Sequence, residues 1–241
     1  PDAGNINGSP KTTAAKFLIN GGIPIGVNSE MYFNAAYVVK KVNSFANYRT
    51  PYWKSLASNP SLVLLGPNVG VTEGFVPTFE GDLSDYNGTL GIRSETNGWK
   101  SDVSLTVGGN KQIYAVNNTV NFGEGLNSPI SFKPGGYNFS HVVGNVDLSK
   151  QVTEKVNLGF GSEFRTEAFT MLPGDTASYK AGGANSFPGI PLLQPYRNTR
   201  TNMGAYVDMG IDFTKDFLIN LTGRYENYST FGDAFVYKAS T

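Results

Sequence analysis

The chain contains no cysteine among its 241 residues, which excludes disulfide frameworks and thiolate metal sites. It contains 1 histidine, His141, so a multi-histidine metal centre is also excluded. Neither sign of charge is in excess. Lys+Arg number 19 and Asp+Glu number 19, for a formal net charge of +0. That balance offers no basic field to a nucleic acid. Charged residues make up only 16% of the chain, against a common ~25%. No apolar run reaches the ~18 residues of a membrane-spanning helix. No secretory leader is visible, and the sequence starts at Pro1 rather than Met. Processing or truncation of an earlier start is therefore expected.

Glycine and aromatic residues are abundant. Gly numbers 29, about 12% against a usual ~7%, and aromatics reach 13%. Helical periodicity is almost absent, and period-two alternation recurs instead. It predicts nine strands over 14–23, 31–42, 83–95, 101–116, 139–152, 155–169, 200–213, 217–228 and 234–241. Most are ~10 to 15 residues long. Strands of ordinary globular proteins run to ~5 to 6, whereas a tilted bilayer-crossing strand needs ~9 to 11. Short turns ("PIGVNSE", "TNGWK", "TE", "TKD") alternate with long connections over 43–82, 117–138 and 170–199. Outer-membrane barrels alternate in this way, with short periplasmic turns and long extracellular loops.

Each predicted strand has one apolar and one polar face. Val156, Leu158, Phe160 and Phe164 alternate with Glu163, Arg165 and Glu167, while Val103, Leu105 and Val107 alternate with Asp102. In "AYVDMGIDFTKDFLINLTGRYENYSTFG" the apolar positions include Met209, Ile211, Ile219 and Leu221. Asp208, Asp212, Arg224 and Glu226 occupy the other face. A soluble β-sandwich would alternate too. Strand length, loop alternation and mixed charge favour a wet lumen. Asp102, Glu163, Arg165, Glu167, Asp208, Asp212, Arg224 and Glu226 are therefore expected to face it.

The order of motifs over 75–241 resembles the barrel domain of TonB-dependent outer-membrane receptors. "GSEFRTE" matches a G-x-E-x-R-x-E run, "GDTASY" a G-D-x-x-S-Y loop start, and "RYENYSTFG" an R-Y-E-x-Y-S-x-F-G strand end. "FPGI" and the Y-x-D of "AYVDM" fall in the same order. The stretch around "NYRTP" fits more loosely. The resemblance implies an antiparallel transmembrane β-barrel of ~22 strands, of which 1–241 would be a partial domain without the plug or the C-terminal strands. It implies active uptake of a scarce ligand: a siderophore, vitamin, metal chelate or saccharide. The expected partners are outer-membrane lipid, the rest of the barrel and its plug, and the TonB–ExbB–ExbD system acting through the plug. The expected location is the outer membrane of a Gram-negative bacterium. A passive porin or adhesin-type barrel, or a soluble β-sandwich binding module, is the alternative.

No cofactor, metal site or enzymatic activity is expected, because there is one histidine, no cysteine and no nucleophile elbow. Glu163 and Glu167 share one strand face as a candidate acid/base pair, but four residues set them ~13 Å apart, wider than the ~5 to 9.5 Å of paired catalytic carboxylates. Arg165 between them makes a charge ladder the plainer reading. Arg224 and Glu226 read as register-fixing cross-strand charges, and His141 as a wall residue. "LTVGGNK" lacks the spacing of a phosphate loop and has no helix after it. "YRTPYWK" is the densest aromatic and basic cluster, in the longest loop. Its Tyr48, Arg49, Tyr52, Trp53 and Lys54 could grip a ligand or belong to an interfacial aromatic girdle. "NSFPGIPLLQPYRN" reads as an ordered loop at a binding mouth. The N-x-S/T triplets at Asn87 and Asn138 follow from asparagine abundance.

Overall fold

The computed structural model describes residues 4–6, 8–192 and 196–241; residues 193–195 of the Pro-rich loop lie outside the described residues. Nine strands form one sheet in the order of the chain, each antiparallel to the next. They are β1 (Lys11–Pro24), β2 (Ser29–Phe45), β3 (Thr78–Thr96), β4 (Trp99–Asn117) and β5 (Ser131–Thr153). β6 (Val156–Leu172), β7 (Arg197–Thr214), β8 (Phe217–Tyr228) and β9 (Gly232–Ser240) complete it. All nine expected strands are present, and the fold is all-β. Several run further than alternation suggests. β5 is 23 residues long and starts at Ser131 rather than 139. Gly135 sits at φ 97°, and the β4–β5 register shifts between Tyr114 and Val116. Such a bulge breaks the two-residue period that marks a strand, so the extension beyond it is invisible to pattern.

At one end the connections are tight. Asn97 and Gly98 join β3 to β4 at φ 54° and 76°. Positive φ at both positions is what a type I′ hairpin turn requires, and Asn-Gly adopts it readily. At the other end lie the long connections 46–77, 118–130 and 173–196. The outermost strands β1 and β9 do not pair with each other, so the barrel is not closed in this chain.

The register fixes the faces. Val103 stands opposite Ile92 and Val146, and Ala205 opposite Ser162 and Tyr225. These side chains share the apolar face. No second layer covers that face among the described residues, which a sandwich would require. Val103, Leu105 and Met203 are 52%, 53% and 61% exposed. On the opposite face the side chains of Glu163, Glu167 and Glu226 are only 15%, 14% and 17% exposed. Carboxylates are thus more covered than hydrocarbon, the inverse of a water-soluble protein.

Candidate functional site

The three long loops pack on one another. Leu62, Val69 and Phe75 of the first loop and Val120 of the second form a buried cluster. Leu56, Leu65 and Phe122 flank it. Polar side chains complete the weld. Asn118 Nδ2 donates to the Val76 carbonyl at 2.8 Å, joining first and second loops. Asn121, itself buried, donates to the Ala177 and Lys180 carbonyls at 2.8 and 2.7 Å, joining second and third. Arg49 Nε donates to Asn185 Oδ1 at 3.2 Å, joining first and third.

The third loop begins with a local knot built from "GDTASY". Asp175 Oδ1 accepts from the Ser178 amide at 2.8 Å, an N-terminal cap on the short helix Thr176–Tyr179. Ser178 is fully buried, and its Oγ donates to the Asp175 carbonyl at 2.6 Å. A Cβ on Gly189 would meet Ser178 Oγ at 1.9 Å. Glycine is therefore required where "FPGI" crosses the knot.

This cap divides the residues of "YRTPYWK". Tyr48 faces the loop interior, and its hydroxyl accepts from the Gly74 amide at 3.0 Å. Arg49 is buried, and burial lowers its guanidinium pKa from the usual value; it remains charged. Tyr52 and Trp53 are exposed at 100% and 60%. Lys54 Nζ lies 5.4 Å from the Trp53 ring centroid and 4.9 Å from that of Phe122. The outward-facing part of the cluster is thus Tyr52, Trp53 and Lys54.

On the polar face the expected charged residues fall into two groups. Arg165 pairs with Glu163 at 2.8 Å and reaches Glu167 at 3.7 Å. Arg224 pairs with Glu226 at 2.8 Å and reaches Glu163 at 3.6 Å. Arg200 Nε donates to Glu167 at 2.8 Å, and the Tyr228 hydroxyl donates to Glu226 at 2.8 Å. Nearer the tight turns, Asp102 accepts from Tyr32 at 2.7 Å, and Asp208 accepts from Asn220 at 3.0 Å. Asp212 stands apart from both groups, exposed beside the β7–β8 turn. Tyr32, Asp147, Arg200, Tyr206 and Tyr228 complete these networks. Pattern placed Tyr206 on the polar face but assigned none of the five to a network. Tyr32, Asp147, Arg200 and Tyr206 meet their partners on other strands, and the bond of Tyr228 to Glu226 within β8 shows only in the folded strand.

Three of these bonds join strands two apart, each over a glycine. Tyr32 reaches Asp102 across Gly91, Tyr206 reaches Asp147 (2.6 Å) across Gly161, and Arg224 reaches Glu163 across Gly204. A Cβ on Gly91 would lie 2.3 Å from the Tyr32 ring. These tethers favour curvature toward the polar side. No group of acidic and imidazole side chains able to hold a metal is present among the described residues.

A family model described as "TonB dependent receptor-like, beta-barrel" matches residues 28–241. A search of curated proteins found no match. Members of the matched family are receptors and transporters of the Gram-negative outer membrane rather than enzymes. The single meandering sheet, the polar covered face, the bare apolar face and the one-sided loops agree with that match, and the chain belongs to the TonB-dependent receptor β-barrel family.

Proposed function

We propose that this chain forms part of the wall and mouth of an outer-membrane receptor that actively imports a scarce ligand. The observation that carries the reading is the inverted sheet: ion-paired carboxylates covered on one face, bare hydrocarbon on the other. A surface of that kind suits lipid outside and water inside. The welded loops supply a preformed cap over the opening, with Tyr52, Trp53 and Lys54 presented for ligand contact. Asp102, Glu163, Arg165, Glu167, Asp208, Asp212, Arg224 and Glu226 line the wet side. Import would draw energy from TonB–ExbB–ExbD through a plug domain, and no bond in the ligand would be broken.

Growth under iron, cobalamin, nickel and glycan limitation tests this. Deleting the receptor gene should cost growth in one of these media and add nothing in a TonB-deficient strain. An additive cost in that strain would mark a passive pore and overturn active uptake.

A further inference from the structure

Aromatic rings form a diagonal file on the polar face below the loop cap. Phe79 of β3 stacks on Tyr114 of β4, with ring centroids 5.2 Å apart. Tyr114 meets Tyr137 of β5 edge-on at 6.2 Å, and Tyr137 stacks on Phe169 of β6 at 5.7 Å. The register makes the file regular. Tyr114 pairs with Gly81, Tyr137 with Gln112, and Phe169 with Phe139. Each successive ring therefore lies about two residues deeper than the last, away from the loops. A fifth ring caps the upper end. Phe187 of the third loop packs on Phe79 at 4.9 Å and on Tyr114 at 5.5 Å. The residue before it, Ser186, is held at φ 95°, a conformation that costs a serine free energy.

Rings on the wet side of a membrane wall are out of place as mere lining. The same face elsewhere carries ion pairs, and the lipid side already has hydrocarbon. Along β3 and β4 the polar neighbours of the file are amides, while at its deep end Phe169 borders Glu167, which Arg165 and Arg200 hold. Asn110 and Gln112 share its face on β4, and Gln112 Oε1 accepts from the Tyr114 hydroxyl at 2.7 Å. Among the polar-face positions of 79–85 and 110–114 the one charge is Asp85. Flat rings flanked by amides on β3 and β4, with the arginines at the deep end already paired to Glu167, suit a neutral ring with hydroxyls on its rim. They do not suit an anionic metal chelate, which calls for Lys or Arg.

We propose that the Phe79–Tyr114–Tyr137–Phe169 file is a stacking track for a neutral saccharide, with Phe187 occupying its upper end until sugar displaces it. This rests on the receptor reading and specifies its ligand class. The test is binding to the full-length protein in detergent, with maltohexaose, cellohexaose, xylohexaose and an anionic ferric tris-catecholate complex as probes. At least one hexasaccharide should bind saturably. Tyr114→Ala should weaken it about tenfold or more, and Tyr114→Phe should retain it within about threefold, since the ring is what stacks. Phe187→Ala should tighten it by removing the competing ring. Heat-modifiable gel mobility would establish that each variant is folded. If folded protein binds none of the hexasaccharides, the track is wrong. If it binds only the ferric complex, with Tyr114→Ala silent, the track falls while uptake stands.

Discussion

At the scale of single residues, the glycines separate the two faces. Gly161 lies on the polar face between Asp147 and Tyr206. A Cβ there would come within 2.5 Å of the Val146 carbonyl oxygen and 2.7 Å of Tyr206 Cε1. The carbonyl belongs to the sheet ladder and cannot move aside. Gly144 lies on the apolar face, and a Cβ there would meet nothing within 4 Å. Gly161→Ala should therefore destabilise the folded barrel by about 1–3 kcal/mol, the range for overpacking. Gly144→Ala should fall within about 0.5 kcal/mol of the parent. Urea unfolding of the full-length protein in lipid vesicles would measure both, and equal effects would refute the assignment of faces. Nothing in the composition distinguishes these two glycines. Their difference depends on which side chains stand one strand away, and that requires the register.

At the scale of elements, the strands were legible in the sequence and their contacts were not. Alternation over eight or more residues located all nine strands, because a face turned to lipid and a face turned to water each repeat every second position. The same pattern could not reveal the aromatic file, which takes one ring from each of four strands. Nor could it show how deep a side chain sits in the membrane. Phe164 stands midway along β6 (Val156–Leu172), 48% exposed on the apolar face. Ile219 is paired with Ile211 just above the β7–β8 turn. Trp99, paired with Thr96 beside the β3–β4 turn, and Tyr86, paired with Gly109, mark two levels about ten residues apart on β3. At ~3.4 Å per residue and ~45° tilt, that spacing is close to the ~25 Å apolar band of an outer-membrane barrel. A charge should therefore cost most at Phe164. Phe164→Lys is expected to lose about 2–4 kcal/mol of folding stability in vesicles, and Ile219→Asp about 0–1 kcal/mol. The opposite ranking in urea titrations would place the bilayer elsewhere on the sheet.

At the scale of the molecule, the loops behave as a second structural unit laid on the sheet. Arg49 and Asn185 are 136 positions apart in the chain, and no local pattern announces such a bond. The motif "GDTASY" was visible as a loop start, yet its role as the knot that lets the third loop reach Asn121 depends on packing. Buried polar groups that hold three segments leave costly unpaired partners when removed. Asn121→Ala would remove the side-chain donor from the Ala177 and Lys180 carbonyls, leaving Lys180 only its bond from the Gly183 amide, and Arg49→Ala would strand the Asn185 amide oxygen. If the cap is one cooperative unit, either change loosens all of it. Hydrogen exchange on the full-length protein should then quicken in 46–77, 118–130 and 173–192 together, with β3 to β6 unchanged below the loops. Faster exchange confined to the mutated loop would show three independent loops instead. The preformed mouth would then need a ligand to assemble it.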